Sequence, residues 1–167
     1  MRNILLFFIL LFTLLGCRNY NVAYQIKNKY PRQYTGLDTL IRIDGYYFKE
    51  CSYDICSPTI FQPDGSFYCI GMKYMGFKHF ESTITNNKIT ANNQGYYTIR
   101  GDTIIVKEVF EYQSTCFDVY ESYYIILDSV TLHLVYSNTF EDYGIVRNEL
   151  NQLYKFRPYN FNFKVGK

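Results

Sequence analysis

Two glutamates, Glu108 and Glu121, interrupt runs of aromatic and aliphatic side chains in this sequence. A pair of carboxylates on facing strands is the constellation here that could do acid-base work on a glycoside or hold a polar group of a ligand. Other chemistry finds no support. There is no Gly-x-Ser-x-Gly elbow and no Gly-rich phosphate loop, and neither His79 nor His133 stands beside a serine or cysteine in a catalytic arrangement. The cysteines lack a C-x2-C pair and the histidines sit in no ligand pattern, which argues against zinc. The expectation is therefore no enzyme, no cofactor and no metal, with Glu108 and Glu121 lining a solvated rim rather than turning over a substrate.

The elements that must position these carboxylates are strands. Gly95-Tyr96-Tyr97-Thr98-Ile99-Arg100, then Gly101-Asp102, then Thr103 to Tyr112 reads as a hairpin with a tight turn. Pairing Arg100 with Thr103, Ile99 with Ile104 and Tyr97 with Val106 gathers Tyr97, Ile99, Ile104, Val106, Phe110 and Tyr112 on one face. Glu108 falls on that face, opposite Gly95. A second hairpin runs from Tyr120 to Leu127, turns at Asp128-Ser129 and returns from Val130 to Tyr136. Its apolar face collects Tyr123, Ile125, Leu127, Val130, Leu132, Leu134 and Tyr136, with Glu121 beside Tyr123, and leaves His133 on the surface. If Phe110 lies opposite Glu121, the two carboxylates are diagonal neighbours, ~7 to 8 Å apart at the backbone. Glu108, Glu121, Tyr97, Tyr123 and Tyr136, with Tyr112, are then expected to bind a ligand at one mouth. The Gln113 to Val119 loop and the Cys51 to Cys56 loop lie at that end.

The remaining segments continue the pattern. Ile41 to Lys49 is a first strand, and Thr59-Ile60-Phe61 and Ser66-Phe67-Tyr68-Cys69 flank Gln62-Pro63-Asp64-Gly65, where Pro sets the first corner and Gly takes the left-handed position. Glu81 to Thr85 and Lys88 to Thr90 are two short polar strands, and Leu153 to Arg157 closes the series before Pro158. Meanders of this kind hide their edges by closing. The expected fold is all-β, an antiparallel up-and-down barrel or meander of about eight to ten strands over residues 39–158, with a short tail at 159–167.

Ahead of it, Arg2 and the run Ile4 to Phe12 form a positive n-region and an apolar h-region too short to span a bilayer, for which ~20 residues are needed. Leu14-Leu15-Gly16-Cys17 resembles the lipobox of bacterial lipoproteins. That resemblance implies cleavage after Gly16 and lipidation of Cys17, which becomes the first residue of the mature chain and anchors it in a bilayer. Arg18-Asn19 follow rather than an acidic residue, which in the best-known sorting rule of that family implies the outer membrane, facing the periplasm. Residues 17–38, rich in Asn and Lys, read as a tether. Once Cys17 carries lipid, Cys51, Cys56, Cys69 and Cys116 remain, an even number that makes up to two disulfides in an exported chain, with three possible connectivities.

One of the 17 basic side chains, Arg2, lies in the leader, leaving 16 against 15 acidic ones, so nucleic acid is not an expected partner. Aromatic residues make up 20% of the chain, with Tyr 19, Phe 14 and Trp 0. Tyrosine faces suit carbohydrate or aromatic ligands, although an AT-rich genome enriches the same residues. Through Asp44-Gly45-Tyr46-Tyr47, Phe61 to Phe67, Gly95 to Ile104 and Tyr154-Lys155-Phe156-Arg157-Pro158, the chain resembles the lipocalin-like, calycin-type small lipoproteins of Gram-negative envelopes. The resemblance implies a barrel with an apolar ligand cavity. It also implies that Tyr47 stands where that family has the Trp of Gly-x-Trp, with Arg157 as its partner. Strand alternation, however, sets Arg157 opposite the face of Tyr154 and Phe156. The expected role is an envelope lipoprotein that binds a small apolar or aromatic-compatible molecule; the alternative is a protein-interaction module of inhibitor, immunity or assembly type.

Overall fold

The structure is a computed structural model and describes residues 24–26, 33–51, 54–69, 81, 93–113, 116–141 and 144–160. The leader, Cys17 and the predicted strands between residues 82 and 90 lie outside the described residues. Eight strands form a closed antiparallel barrel in simple sequence order. They are β1 (Gly45–Cys51), β2 (Asp54–Phe61), β3 (Ser66–Cys69), β4 (Asn93–Arg100), β5 (Thr103–Gln113), β6 (Cys116–Asp128), β7 (Thr131–Glu141) and β8 (Gly144–Pro158). The seam is the pairing of β1 with β8, from Gly45 opposite Pro158 to Lys49 opposite Tyr154. The all-β, up-and-down barrel expected from the turn signals is thus the observed fold.

The hairpins differ in how far they follow the expected register. In β4 and β5 every expected pair is present, including Gly95 opposite Glu108, and Gly101 supplies the left-handed turn residue at φ +63°. The Gln62-Pro63-Asp64-Gly65 turn also forms as expected. Gly65 has φ +85°, and the Asp64 carboxylate accepts from the Ser66 N–H at 3.0 Å. In β6 the faces are inverted. Phe110 lies opposite Asp118 and Glu121 opposite Lys107, a slip of three residues from the expected register. An odd slip turns every side chain to the other side of the sheet. Ser122 and Tyr124 therefore point into the barrel and are buried, while Leu127 is exposed on the outside. At the β6–β7 turn, Asp128 pairs with Thr131 and its carboxylate accepts from the Val130 N–H at 2.8 Å, so the turn falls at Ser129-Val130 and an irregularity at Ile126 to Asp128 absorbs the offset. Leu132 and Leu134 face inward as expected.

One end of the barrel is plugged by residues 33–41, which the sequence divides between the end of the tether and the start of a first strand at Ile41; that strand begins only at Gly45, because Ile41 turns into the core instead of joining the ladder. A 3-10 turn, Leu37–Thr39, entered through Gly36 at φ +74°, drives Leu37 into the core, with 0% of its surface exposed, and Ile41 follows it at 2%. Its backbone is tied to the turns at that end: Gln33 and Thr35 donate to the carbonyls of Asp64 and Pro63, and Arg42 donates to that of Ser129. Above this plug Tyr47, Phe61, Phe67, Tyr97, Ile104, Val106, Tyr124, Leu132, Leu134 and Tyr154 fill the barrel. Most of the rings meet edge-on or tilted, as for Phe61 with Tyr97 at 5.4 Å and Tyr47 with Phe156 at 5.3 Å. A second, smaller cluster lies on the outer wall, where Ile26 covers Val109 and Val119 beside Tyr96 and Phe140.

Because Leu37 is a fully enclosed core residue, Leu37→Ala is expected to cost about 2–5 kcal/mol in a chemical denaturation series. A midpoint unchanged from wild type would return residues 33–41 to the status of a tether.

Candidate functional site

The hairpin loops distribute the barrel's ends unequally. The turns at 62–65, 101–102 and 129–130, together with the Leu37 plug, close one end. The opposite end, the mouth, is where β1 joins β2, β5 joins β6 and β7 joins β8. Glu108 is the candidate residue that the fold brings to the interior near this mouth. It shares the inward face of buried Ile104 and Val106, with Gly95 opposite it. Its charge is felt by Cys69, Tyr124 and Tyr154, and for each of them it adds to the burial that pushes the pKa upward. Those groups form a neutral floor. Tyr124 and Tyr154 meet edge-on at 5.5 Å, and the Tyr154 hydroxyl is hydrogen-bonded with those of Tyr124 and Ser57.

Above the floor the inner wall turns polar. Tyr120 stands opposite Glu108, and Ser122 opposite Ser137; Thr139 accepts a hydrogen bond from the Asn148 amide at 3.3 Å. Tyr120 donates to Asp118 at 3.3 Å. The barrel is therefore packed with aromatic rings in one half and lined with carboxylate, hydroxyl and amide groups in the other. A ligand seated on the Tyr124 and Tyr154 edges would meet hydrogen-bonding partners only on the mouth side.

The other predicted site residues are elsewhere. Glu121 lies on the outer wall, where its carboxylate bridges Lys107 (Nζ to Oε2, 3.0 Å) and accepts a short hydrogen bond from the Tyr123 hydroxyl. Burial tends to raise the pKa of Glu121, but the bonds from Tyr123, Lys107 and Asn138 outweigh it and hold the carboxyl below its ordinary range. Tyr123 and Tyr136 stack on the same outer face at 4.1 Å, and the Arg147 guanidinium lies 3.7 Å over the Tyr136 ring. The diagonal Glu108–Glu121 pair does not form, because the slip in β6 puts the two on opposite sides of the wall. Tyr97 is inward but belongs to the closed end, its hydroxyl 2.7 Å from both the Gln62 carbonyl and Thr35 Oγ1. The Tyr112 side chain is not among those described.

The expected seam partner is also different. Arg157 lies across from Tyr46 on the outer face and donates through Nε to Glu81 at 2.7 Å. The cation over the seam is Arg42, 4.6 Å from the Phe156 ring that packs on Tyr47. Alternation along β8 does announce this, since Arg157 cannot share a face with Phe156. Cys69 departs from its role as a disulfide candidate: its thiol is free and enclosed in the core. Burial and Glu108 disfavour its thiolate, so it is a poor nucleophile. The side chains of Cys51, Cys56 and Cys116 lie outside those described. Residues that sequence reasoning passed over as interior are Tyr120, Ser122 and Tyr124. Their signal, Tyr120 followed by the adjacent pair Tyr123-Tyr124 in one strand, has no parity of its own. A shallow groove of about 660 Å3 also lies at the closed end, between Ile43, Asp44, Gln62, Pro63 and Pro158 to Asn160.

The lowered pKa of Glu121 means that its contribution to stability is present above the ordinary glutamate value of 4.5 and is lost as pH falls through the depressed folded value. Glu121→Gln is expected to be less stable than wild type at neutral pH by about 1 kcal/mol or less, as for a pair that solvent still reaches on the Lys107 side. The two denaturation midpoints should converge on acidification; a constant gap would show that the carboxylate charge is not what the outer network uses. In comparison with known proteins, the chain matches no family model, no curated protein and no solved structure.

Proposed function

We propose that this protein is a lipid-anchored domain of the bacterial cell envelope whose barrel mouth binds a small molecule. The ligand has an aromatic or aliphatic body, which rests on the Tyr124 and Tyr154 edges, and a hydroxyl or amino group directed at Glu108. The observation that carries the reading is the position of Glu108, an inward carboxylate set where the aromatic packing ends and the polar wall begins. A carboxylate at that boundary is placed to accept a hydrogen bond from the polar end of a ligand whose body rests on the rings. Anchoring rests on Leu14-Leu15-Gly16-Cys17 and its likeness to a lipobox. A second reading, a protein-interaction module, is supported by the first half of β8, where residues 144–149 are all exposed.

Native mass spectrometry of the full chain released from its own membranes tests the first reading. A co-purifying small molecule is expected, retained at least about tenfold less well by Glu108→Gln, a loss of one charge-assisted hydrogen bond. A co-purifying protein with no small molecule would favour the second reading instead. For the anchor, metabolic labelling with a fatty acid should mark the wild-type chain and not Cys17→Ser; label persisting on the variant would reject lipidation at that cysteine.

A further inference from the structure

The barrel wall is uneven. β8 pairs with β7 along almost its whole length, from Gly144 to Lys155, but with β1 only from Tyr154 to Pro158. Among the described residues, the edge of residues 144–153 that faces away from β7 has no ladder partner. Residues 144–149 are exposed, with Ile145 at 63% and Val146 at 41% on opposite faces of the strand. An extended edge carrying apolar side chains is a template for another strand. We propose that the occupant is the same edge of a second copy of this chain, giving a two-fold dimer in which the β8 strands run antiparallel and the two barrel walls become one continuous sheet.

The charge pattern selects the occupant and the register. A two-fold axis perpendicular to the sheet keeps each side chain on its own face, so it must pass through a residue position rather than between two. Centred on Asn148, it sets Arg147 opposite Glu149 of the second copy and Glu149 opposite Arg147, with Val146 opposite Leu150 on the other face. Shifted by one residue either way, it opposes Arg147 to itself or Glu149 to itself, which is destabilising. In the single chain these two side chains already lie on one face, joined by a 2.6 Å bridge and largely exposed, with Arg147 steadied by Tyr136. The edge is therefore complementary to itself in charge and in apolar surface.

The test is native mass spectrometry and sedimentation of the full chain in detergent. Wild type is expected to dimerise. Arg147→Glu, which creates two like-charge pairs, should weaken the dimer roughly tenfold or more, and the double variant Arg147→Glu/Glu149→Arg should regain it, which also shows that the charge changes leave the fold intact. Asn148→Cys should give a disulfide-linked dimer above the wild-type background, and adding Arg147→Glu should suppress it. A monomer at the highest concentration reached, a dimer indifferent to Arg147→Glu, or a different protein held on β8 would each overturn the proposal.

Discussion

Closure of the barrel depends on how nearly β1 and β8 can approach at Gly45. A Cβ at that position would sit 2.1 Å from the Arg157 carbonyl oxygen and 2.8 Å from the Pro158 Cα, contacts that only backbone movement would relieve. The absence of a side chain there lets Phe156 swing against Tyr47, and Tyr47 in turn meets Phe61 edge-on at 5.9 Å. From that contact the aromatic packing spreads around the interior. Gly95 repeats the device on the facing wall, where a Cβ would lie 2.0 Å from the Lys107 carbonyl oxygen. Both glycines have ordinary negative φ, so their use is close approach rather than a special turn.

The seam also explains why a tyrosine-rich, tryptophan-free sequence builds this barrel. A buried phenol supplies a large apolar ring but carries a hydroxyl that must be satisfied. In the closed half, Tyr47 reaches the carbonyls of Arg42 and Ser129 at 3.1 and 3.0 Å, and Tyr97 reaches that of Gln62. These carbonyls belong to the plug and the turns, whose backbone groups find no partner within a ladder. The core rings thus tie down the segments that cap them. Deletion of the plug would strip apolar cover from Leu37's neighbours and remove one of the two hydroxyl contacts of Tyr97, that with Thr35 Oγ1.

Strand existence and the β4–β5 face were legible because Gly101-Asp102 fixes its hairpin from both sides and Tyr97, Ile99, Ile104 and Val106 alternate with polar residues. The β6 face was not, since Tyr120, Tyr123, Tyr124, Ile125 and Ile126 supply rings and branched chains to both sides of the strand. Parity then hung on loop length. β6 begins at Cys116, earlier than the Gln113 to Val119 loop allowed, and that difference moved Glu121 outside. The plug was illegible for another reason: a short 3-10 turn has no period to detect, Leu37 is followed by Asp38 and Thr39, and Ile41 reads as the start of a strand. Tertiary contact alone makes them core. Glu108 was placed correctly relative to Gly95 because it belongs to the one hairpin whose turn chemistry left no choice of register.

The same parity decides what each carboxylate is for. Glu121, on the outer wall, gathers Lys107 and Tyr123 around it and has its charge answered by close neighbours. Glu108 sits over groups that resist ionisation: burial raises the pKa of Cys69, Tyr124 and Tyr154, and the glutamate raises them further. Across the neutral range the floor therefore offers rings and hydroxyl dipoles but no charge, so that the ionic character of this part of the interior comes from the wall above it. An apolar molecule would fit such a floor equally well in many orientations. One that also carries a donor for Glu108 would be held in a single orientation, with its polar end toward the mouth.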